Sequence, residues 1–281
     1  MVPAARSNAT RIPAARMPWP PVSDRHRRPV AALIAGALAA AAPSAHALSD
    51  EIRVYTDQIV ERGEFELEGH FSTVPRRRGA AADGENGTLR GLVLTPELSY
   101  GLGNGWEIEA GFFVPVLRSD DGARWRTRPH ARVKWIPRQA PAGGGWFWGA
   151  IAEWGLTPRT PAESRSEVDL RPVLGWRDAR WLVAANLIID LPVAREASRI
   201  PSLGPVGKVV RTLDGGWGLG LEYHGDWGRF RRPDTASPRT QVMYLTVNVP
   251  APLDLHLGIG RGLNAASGGW TIKGSVQIPL D

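Results

Sequence analysis

From residue 64 to the end of the chain, polar and apolar residues alternate with a period of two. Successive side chains of a β-strand point to opposite faces, so this period predicts strands with one polar and one apolar face. Glycine, proline, asparagine and aspartate divide the pattern into segments of about 9 to 14 residues, a length at which tilted strands cross a bilayer. The twelve predicted strands are 64–74, 89–102, 105–117, 124–136, 145–157, 167–177, 180–192, 204–213, 216–227, 239–249, 253–262 and 268–280.

The connections between these segments alternate in length. Tight joins such as Gly103-Asn104-Gly105 and Asp214-Gly215 alternate with long polar ones such as 75–88 and 158–166. Short turns at one rim and long loops at the other are typical of outer-membrane barrels, whose termini lie in the periplasm. The sequence therefore predicts an all-β fold, a twelve-stranded antiparallel transmembrane β-barrel over 64–281. A locally shortened ladder or a bulge has to accommodate the prolines inside strands, which are Pro96, Pro115, Pro129 and Pro172.

Tryptophans mark the ends of the predicted strands. Trp106, Trp146, Trp181, Trp217 and Trp270 begin strands on the apolar face, and Trp135, Trp154, Trp176 and Trp227 lie near strand ends. Indole rings at both edges of an apolar band are typical of the girdles that contact lipid headgroups. A soluble β-sandwich also alternates, but it favours tryptophan at strand centres. The pattern therefore favours a membrane barrel over a secreted soluble protein, with the apolar faces towards hydrocarbon.

The first 47 residues have the layout of a secretory signal peptide. Arginines at 25, 27 and 28 precede the apolar run 29–43, and Ala45-His46-Ala47 follows as a cleavage pattern. Arginines of this segment account for most of the formal net charge of +6. The rest of the chain is nearly neutral, which argues against a nucleic-acid partner. The chain has no cysteine, so disulfides and thiolate metal sites are excluded.

Residues 48–63 lie between the predicted signal peptide and the predicted barrel. Ile52, Tyr55, Ile59 and Val60 occur there at helical spacing. This spacing leaves two interpretations open, a short helix in the periplasm or a plug in the mouth of the barrel.

Three stretches, 95–117, 171–191 and 256–281, carry a family resemblance. In them the chain resembles an uncharacterised family of proteobacterial outer-membrane β-barrel proteins that are labelled porin-like or transporters. The resemblance implies a barrel in the outer membrane, inserted by the barrel-assembly machinery, and no catalytic motif. This chain departs from the terminal assembly signal of bacterial barrels, since it has Ser275 in place of glycine and Leu280 in place of an aromatic residue.

Charged residues on the polar faces form the candidate lining of a solute path. We expect these side chains to face the lumen and to form cross-strand ion pairs. Two alternatives stay open: a narrow, water-filled channel for small polar solutes, and a salt-bridged interior in a non-conducting structural barrel. The candidate residues are Glu107, Glu109, Arg126, Arg128, His130, Arg132, Lys134, Glu153, Glu222, His224 and Asp226.

Two other kinds of site have weaker support. His70 and Ser72 form an H-x-S pair that resembles outer-membrane phospholipases, but they share a face with Glu68 and are expected to point inward, whereas the enzymes present the pair to lipid. A lipid-processing enzyme therefore ranks third. A metal site is also not predicted, because His224 is expected in the outer half of the barrel and His256 in the inner half. The prediction includes no catalytic residue and no cofactor.

The long loops are rich in arginine, whose planar guanidinium groups bind phosphate well. Outer-membrane lipids and lipopolysaccharide present phosphates at that rim, so they are the predicted partners, with an ordinary solvated surface as the alternative. The arginines are Arg76, Arg77, Arg78, Arg118, Arg159, Arg165, Arg195, Arg199, Arg229, Arg231, Arg232 and Arg239.

Overall fold

The computed structural model describes residues 53–74, 91–116, 127–160, 163–193, 201–229, 240–250, 254–264, 267 and 269–280. The predicted signal peptide lies outside these residues. Within them the regular structure consists of strands, namely β1 (Phe65–Val74), β2 (Gly91–Gly103), β3 (Trp106–Pro115), β4 (Arg128–Arg138), β5 (Gly145–Thr160), β6 (Glu163–Arg177), β7 (Trp181–Pro192), β8 (Ser202–Thr212), β9 (Gly218–Gly225), β10 (Gly228–Arg229), β11 (Gln241–Val249), β12 (Asp254–Gly262) and β13 (Trp270–Leu280). None of the described residues belongs to a helix long and apolar enough to cross a membrane.

The strands form one closed antiparallel barrel. Each long strand pairs with the next along the chain, and β1 pairs with β13 from Phe65 opposite Leu280 to Ser72 opposite Lys273. The two-residue strand β10 continues β9 along the edge of β8 after a break at residues 226–227. Because β9 and β10 belong to the same pass, the barrel has twelve strands, and the predicted fold class is confirmed.

The two ends of the barrel differ, as the sequence predicts. At the turn end, β2 joins β3 through Gly103, Asn104 and Gly105, which all have positive φ, a backbone conformation that glycine and asparagine tolerate best. At the loop end, one predicted loop is shorter than expected, since the ladder of β5 and β6 continues to Thr160 opposite Glu163. The prediction of a loop over 158–166 is wrong because backbone pairing does not require the apolar alternation from which that boundary was inferred.

Two of the four strand prolines interrupt the ladder without shifting it. Next to Pro96, β2 and β3 pair at Leu94 opposite Val114 and again at Glu97 opposite Gly111, in the same frame. The ladder of β6 and β7 has an equivalent gap beside Pro172. Proline lacks the N–H that a ladder needs, so the local loss of pairing is expected, and the intact register keeps every flanking side chain on its predicted face.

The outer face of the barrel is apolar. Trp106, Trp146, Trp181 and Trp217 lie near the turn end and Trp227 and Trp270 near the loop end, all between 39% and 59% exposed. At the turn end, the rings of Trp106 and Trp135 stack at 5.6 Å. Between these two levels the outward positions hold exposed aliphatic and phenylalanine side chains, including Leu98, Ile108, Phe112, Leu174 and Leu245.

Candidate channel lumen

Most of the predicted lining residues are buried inside the barrel. Asp226 instead lies in the break between β9 and β10, where its carboxylate accepts a hydrogen bond from the Gly228 N–H at 2.8 Å. Arg126 lies outside the described residues. The inward-facing residues, each at most 6% exposed, are Glu107, Glu109, Arg128, His130, Arg132, Lys134, Glu153, Glu222 and His224.

The basic strand β4 pairs its charges with acids on both neighbouring strands. Arg132 is opposite Glu109 of β3 and Glu153 of β5 in the ladder. Its Nε and Nη2 donate to Glu153 Oε2 at 2.9 and 2.7 Å, and its Nη1 donates to Glu109. Lys134 Nζ donates to Glu107 Oε1 at 3.2 Å. The expected cross-strand ion pairs are therefore present, because facing side chains of an antiparallel pair point to the same side of the sheet.

Glu97 of β2 is the centre of a second set of contacts, which we call the Glu97 cluster: Glu97, His70, His130 and Arg132. His130 Nε2 lies 2.9 Å from Glu97 Oε1, and His70 Nε2 lies 3.0 Å from Oε2. Arg132 Nη1 lies 3.6 Å from Oε2. Gly111 makes room for this cluster, since a Cβ there would be 2.7 Å from the His130 ring and 2.8 Å from Glu97 Cγ.

Glu222 of β9 is the centre of the Glu222 cluster: Glu222, His224, His256 and Lys273. His224 Nε2 and His256 Nε2 each lie 3.2 Å from a Glu222 oxygen, and Lys273 Nζ donates to Oε2. The expectation that His224 and His256 occupy different halves of the barrel is therefore wrong. Strands of a closed barrel are staggered, so residues that are not ladder partners reach the same height. Lys273 also lies 4.8 Å from the centroid of the buried Tyr244 ring.

Residues 53–62, which we call the inserted segment, contact the inner wall of the barrel and form no helix. Tyr55 is 2% exposed, and its N–H donates to Asn186 Oδ1 at 2.7 Å while its carbonyl accepts from Nδ2 at 3.1 Å. The guanidinium carbons of Arg53, Arg132 and Arg171 lie 4.8, 5.0 and 5.7 Å from the centroid of its ring. Cations at this distance are attracted by the aromatic face.

Further contacts hold the inserted segment at the turn end. The Asp57 carboxylate accepts a hydrogen bond from the Ala140 N–H at 2.9 Å and pairs with Arg177 at 3.1 Å. The Val60 N–H donates to Glu107 Oε2 at 2.7 Å. Where the segment joins β1, its backbone approaches Gly101 so closely that a Cβ on this glycine would overlap the carbonyl oxygens of residues 60 and 61.

One sector of the inner wall is apolar. Phe147 and Ile151 of β5, Val173 of β6 and Val206 of β8 are nearly fully buried and pack with Val54 and Tyr55 of the inserted segment. The expectation that apolar residues contact hydrocarbon is therefore wrong for this sector. The inserted segment removes these side chains from water, at roughly 25 cal/mol for each Å² of apolar surface buried.

A cavity of about 130 Å³ remains between the inserted segment and the opposite wall. This volume holds several water molecules, since one water needs roughly 10–15 Å³ by this measure. Of the predicted lining residues, Lys134 and Glu222 border the cavity. The candidate set does not include other charged residues that border it, namely Arg53, Asp57, Glu68, Arg177, Lys208, Asp254, His256 and Lys273.

Among the residues that the structure describes, two groups have side chains of the types that bind metals: Glu68, His70 and Glu97, and Glu97, Glu109 and His130. Arginines already neutralise their carboxylates. Arg53 Nη1 lies 2.6 Å from Glu68 Oε2, and Arg132 pairs with both Glu97 and Glu109. Ion pairing therefore accounts for both groups, and a divalent cation would be repelled by the same guanidinium groups.

The H-x-S pair lies on the inner face of β1. His70 contacts Glu97 and Glu68 there, and Ser72 borders the cavity. Neither residue belongs to the apolar outer surface, which is the surface that a lipid-processing site of the phospholipase type requires.

No protein-family model matches the chain, and no curated protein matches its sequence. Solved structures match its fold. An outer-membrane channel from Pseudomonas putida F1 superimposes with a TM-score of 0.53 at 16% sequence identity, over 82% of this chain and 100% of that one. The NanC porin gives a TM-score of 0.48 at 8% identity, over 77% of this chain and 99% of that one. The first of these superpositions shows that the chain shares the fold of that channel.

Proposed function

We propose that the protein is a narrow, porin-like channel that passes small polar solutes across the outer membrane and that uses no catalytic residue or cofactor. The observation that carries the proposal is the polar cavity, which lies within a closed barrel whose outer face is apolar. An apolar outer face is stable against lipid, and a charged interior needs water or counter-ions.

The proposed orientation places the turn end in the periplasm and the loop end outside the cell, because short turns are periplasmic in barrels of this type. The exposed tryptophans near both ends would contact the lipid headgroups. The loop arginines, whose side chains lie outside the part of the chain that the structure describes, would bind lipopolysaccharide phosphates. We also propose export by the signal peptide of residues 1–47 and insertion by the barrel-assembly machinery.

The interior argues for a small solute. The Glu97 cluster and the inserted segment fill part of the lumen, and the cavity that remains is bordered by the segment and by Lys208, Glu222, Lys273 and Asp254. In a wide, unselective pore, more of the inner wall of the barrel would be exposed to water.

Planar-bilayer recordings on the purified mature protein test the proposal. We expect small, reproducible current steps. Ser275 borders the cavity, so Ser275→Trp should reduce the current, whereas Leu280→Trp, on the exposed outer face of the same strand, should not. Absence of current from protein with normal β-sheet circular dichroism would contradict the proposal.

The second candidate is a structural barrel that does not conduct. The inserted segment and the buried ion pairs favour it, since together they fill much of the lumen. The same recordings separate the two functions, because a structural barrel predicts no current even after correct folding.

A further inference from the structure

Most charges that border the cavity are neutralised by a neighbour. Arg53 pairs with Glu68 at 2.6 Å, and Arg177 pairs with Asp57 at 3.1 Å. Lys134 pairs with Glu107, and Lys273 pairs with Glu222. Such pairs compensate one another, so they offer little free charge to a solute.

Lys208 of β8 and Asp254 of β12 are different. Both border the cavity, and among the residues that the structure describes neither has a hydrogen bond or an ion pair. Lys208 is half-buried, with Ala184 and Glu222 as its ladder partners. Each of the two groups lies within electrostatic range of the other, yet no ion pair joins them. Lys208 is partly buried and makes no ion pair with Glu222, and such a charge is costly, so an anionic ligand group is favoured there. The Asp254 carboxylate is exposed, so it is accessible to a cationic ligand group.

We infer that Lys208 and Asp254 bind the two charged ends of a small zwitterionic solute of the amino-acid type. The inference rests on the proposed channel function. The Lys208 ammonium would donate to the solute carboxylate, and the Asp254 carboxylate would accept from the solute ammonium. Charge-assisted hydrogen bonds of this kind are about twice as strong as neutral ones.

Other solute classes fit these charges less well. A simple anion is attracted by Lys208 but repelled by Asp254, and a simple cation meets the reverse arrangement. A neutral solute uses neither charge. A zwitterion satisfies both groups at once, and the cavity of about 130 Å³ restricts it to a small molecule.

Liposome swelling with the full mature protein tests the inference. Glycine and its neutral isomer glycolamide are matched in composition, and sodium lactate provides a simple anion. We expect glycine to enter at least about threefold faster than glycolamide, after subtraction of the rates in protein-free liposomes. Lys208→Met and Asp254→Asn should each bring that ratio close to one.

The exchange variant, Lys208→Asp combined with Asp254→Lys, is the sharpest control. It retains one charge of each sign, and a zwitterion can bind in the reversed orientation, so part of the glycine preference should return. Equal entry of glycine and glycolamide in the native protein would overturn this inference and leave the channel intact. So would faster lactate entry in Asp254→Asn with an unchanged glycine preference. Absence of entry by every solute would overturn the channel itself.

Discussion

Glu97 and Glu222 are two buried carboxylates with nearly the same surroundings and different positions. Each is 1% exposed, and each contacts two histidines and a cation. Glu97 contacts Arg132 and faces the inserted segment through Arg53, whereas Glu222 borders the cavity. The comparison shows that residue type alone does not identify the charges that border the cavity. Position relative to the inserted segment decides whether a charge cluster packs the interior or borders the cavity.

The largest expected effect is on the free energy of unfolding, and it concerns Arg132 of the Glu97 cluster. Arg132→Met would leave Glu109 without its strongest partner and remove one of two cations from Glu153. Removal of one member of a buried ion pair costs about 3–5 kcal/mol in the free energy of unfolding. Urea unfolding followed by tryptophan fluorescence measures it. Arg138→Met, at an exposed position of the same strand, is the control and should change stability by less than about 0.5 kcal/mol. Equal losses in the two variants would contradict the buried network.

The next effect concerns the inserted segment. Asn186→Ala removes both hydrogen bonds to the Tyr55 backbone, which should weaken the docking of the segment by about 1–3 kcal/mol. Because the chain has no cysteine, a Val54→Cys reporter can be labelled without background. We expect labelling to accelerate by about tenfold for each 1.4 kcal/mol lost. Asn248→Ala removes a lumen amide that contacts His256 rather than the segment, and it should leave the labelling rate unchanged.

A smaller effect distinguishes the two carboxylates directly. Glu222→Gln should shift the reversal potential in a salt gradient in the direction of greater anion permeability, because Lys273 at the cavity loses its counter-ion. The interaction of one partly screened charge is about 1 kcal/mol, which corresponds to roughly a fivefold change in relative permeability. Glu97→Gln, which changes a residue away from the cavity, should shift the potential much less. Similar shifts in both variants would mean that the two clusters face the solute equally.

The smallest effect is expected on the outer face. Arg211 lies 5.2 Å above the Trp181 ring at the turn end, and Arg261 lies 5.5 Å from the Trp270 ring at the loop end. Arg211→Ala and Arg261→Ala should each cost about 0.5–1 kcal/mol, the usual range for exposed cation–π pairs. Unfolding of the two variants in the same bilayer measures both. A loss of stability as large as that of Arg132→Met would contradict the expectation that interior ion pairs stabilise the barrel more than exterior cation–π pairs do.

The sequence predicts the barrel wall well because its information is local. Period two assigns each side chain to a face, and sequential hairpins determine which strands are neighbours. The pairs of Arg132 with Glu109 and Glu153 follow from these two facts alone. Contacts across the lumen do not follow from them. His256 and Glu222 belong to strands separated by β11, and their contact depends on the stagger of the closed barrel.

Two further features of the interior cannot be predicted from the alternation of polar and apolar residues. Trp146, Phe147 and Trp148 are consecutive aromatic residues, so the pattern does not distinguish the inward Phe147 from its outward neighbours. The spacing around Tyr55 leaves a helix or a plug open, and the residues there form no helix. Backbone N–H groups of this segment donate to Asn186 and Glu107 instead of forming helical hydrogen bonds. Partners so distant along the chain are invisible to a local pattern.

The inserted segment is covalently attached to β1 at Gly63, which pairs with the Gly101 carbonyl at 2.8 Å. If the segment leaves the lumen, its return is therefore a unimolecular event at a tethered effective concentration, on the order of millimolar for a short linkage. The rate of closing should not depend on how many barrels are present, and a free peptide of the same sequence would need a comparable concentration to compete for the site.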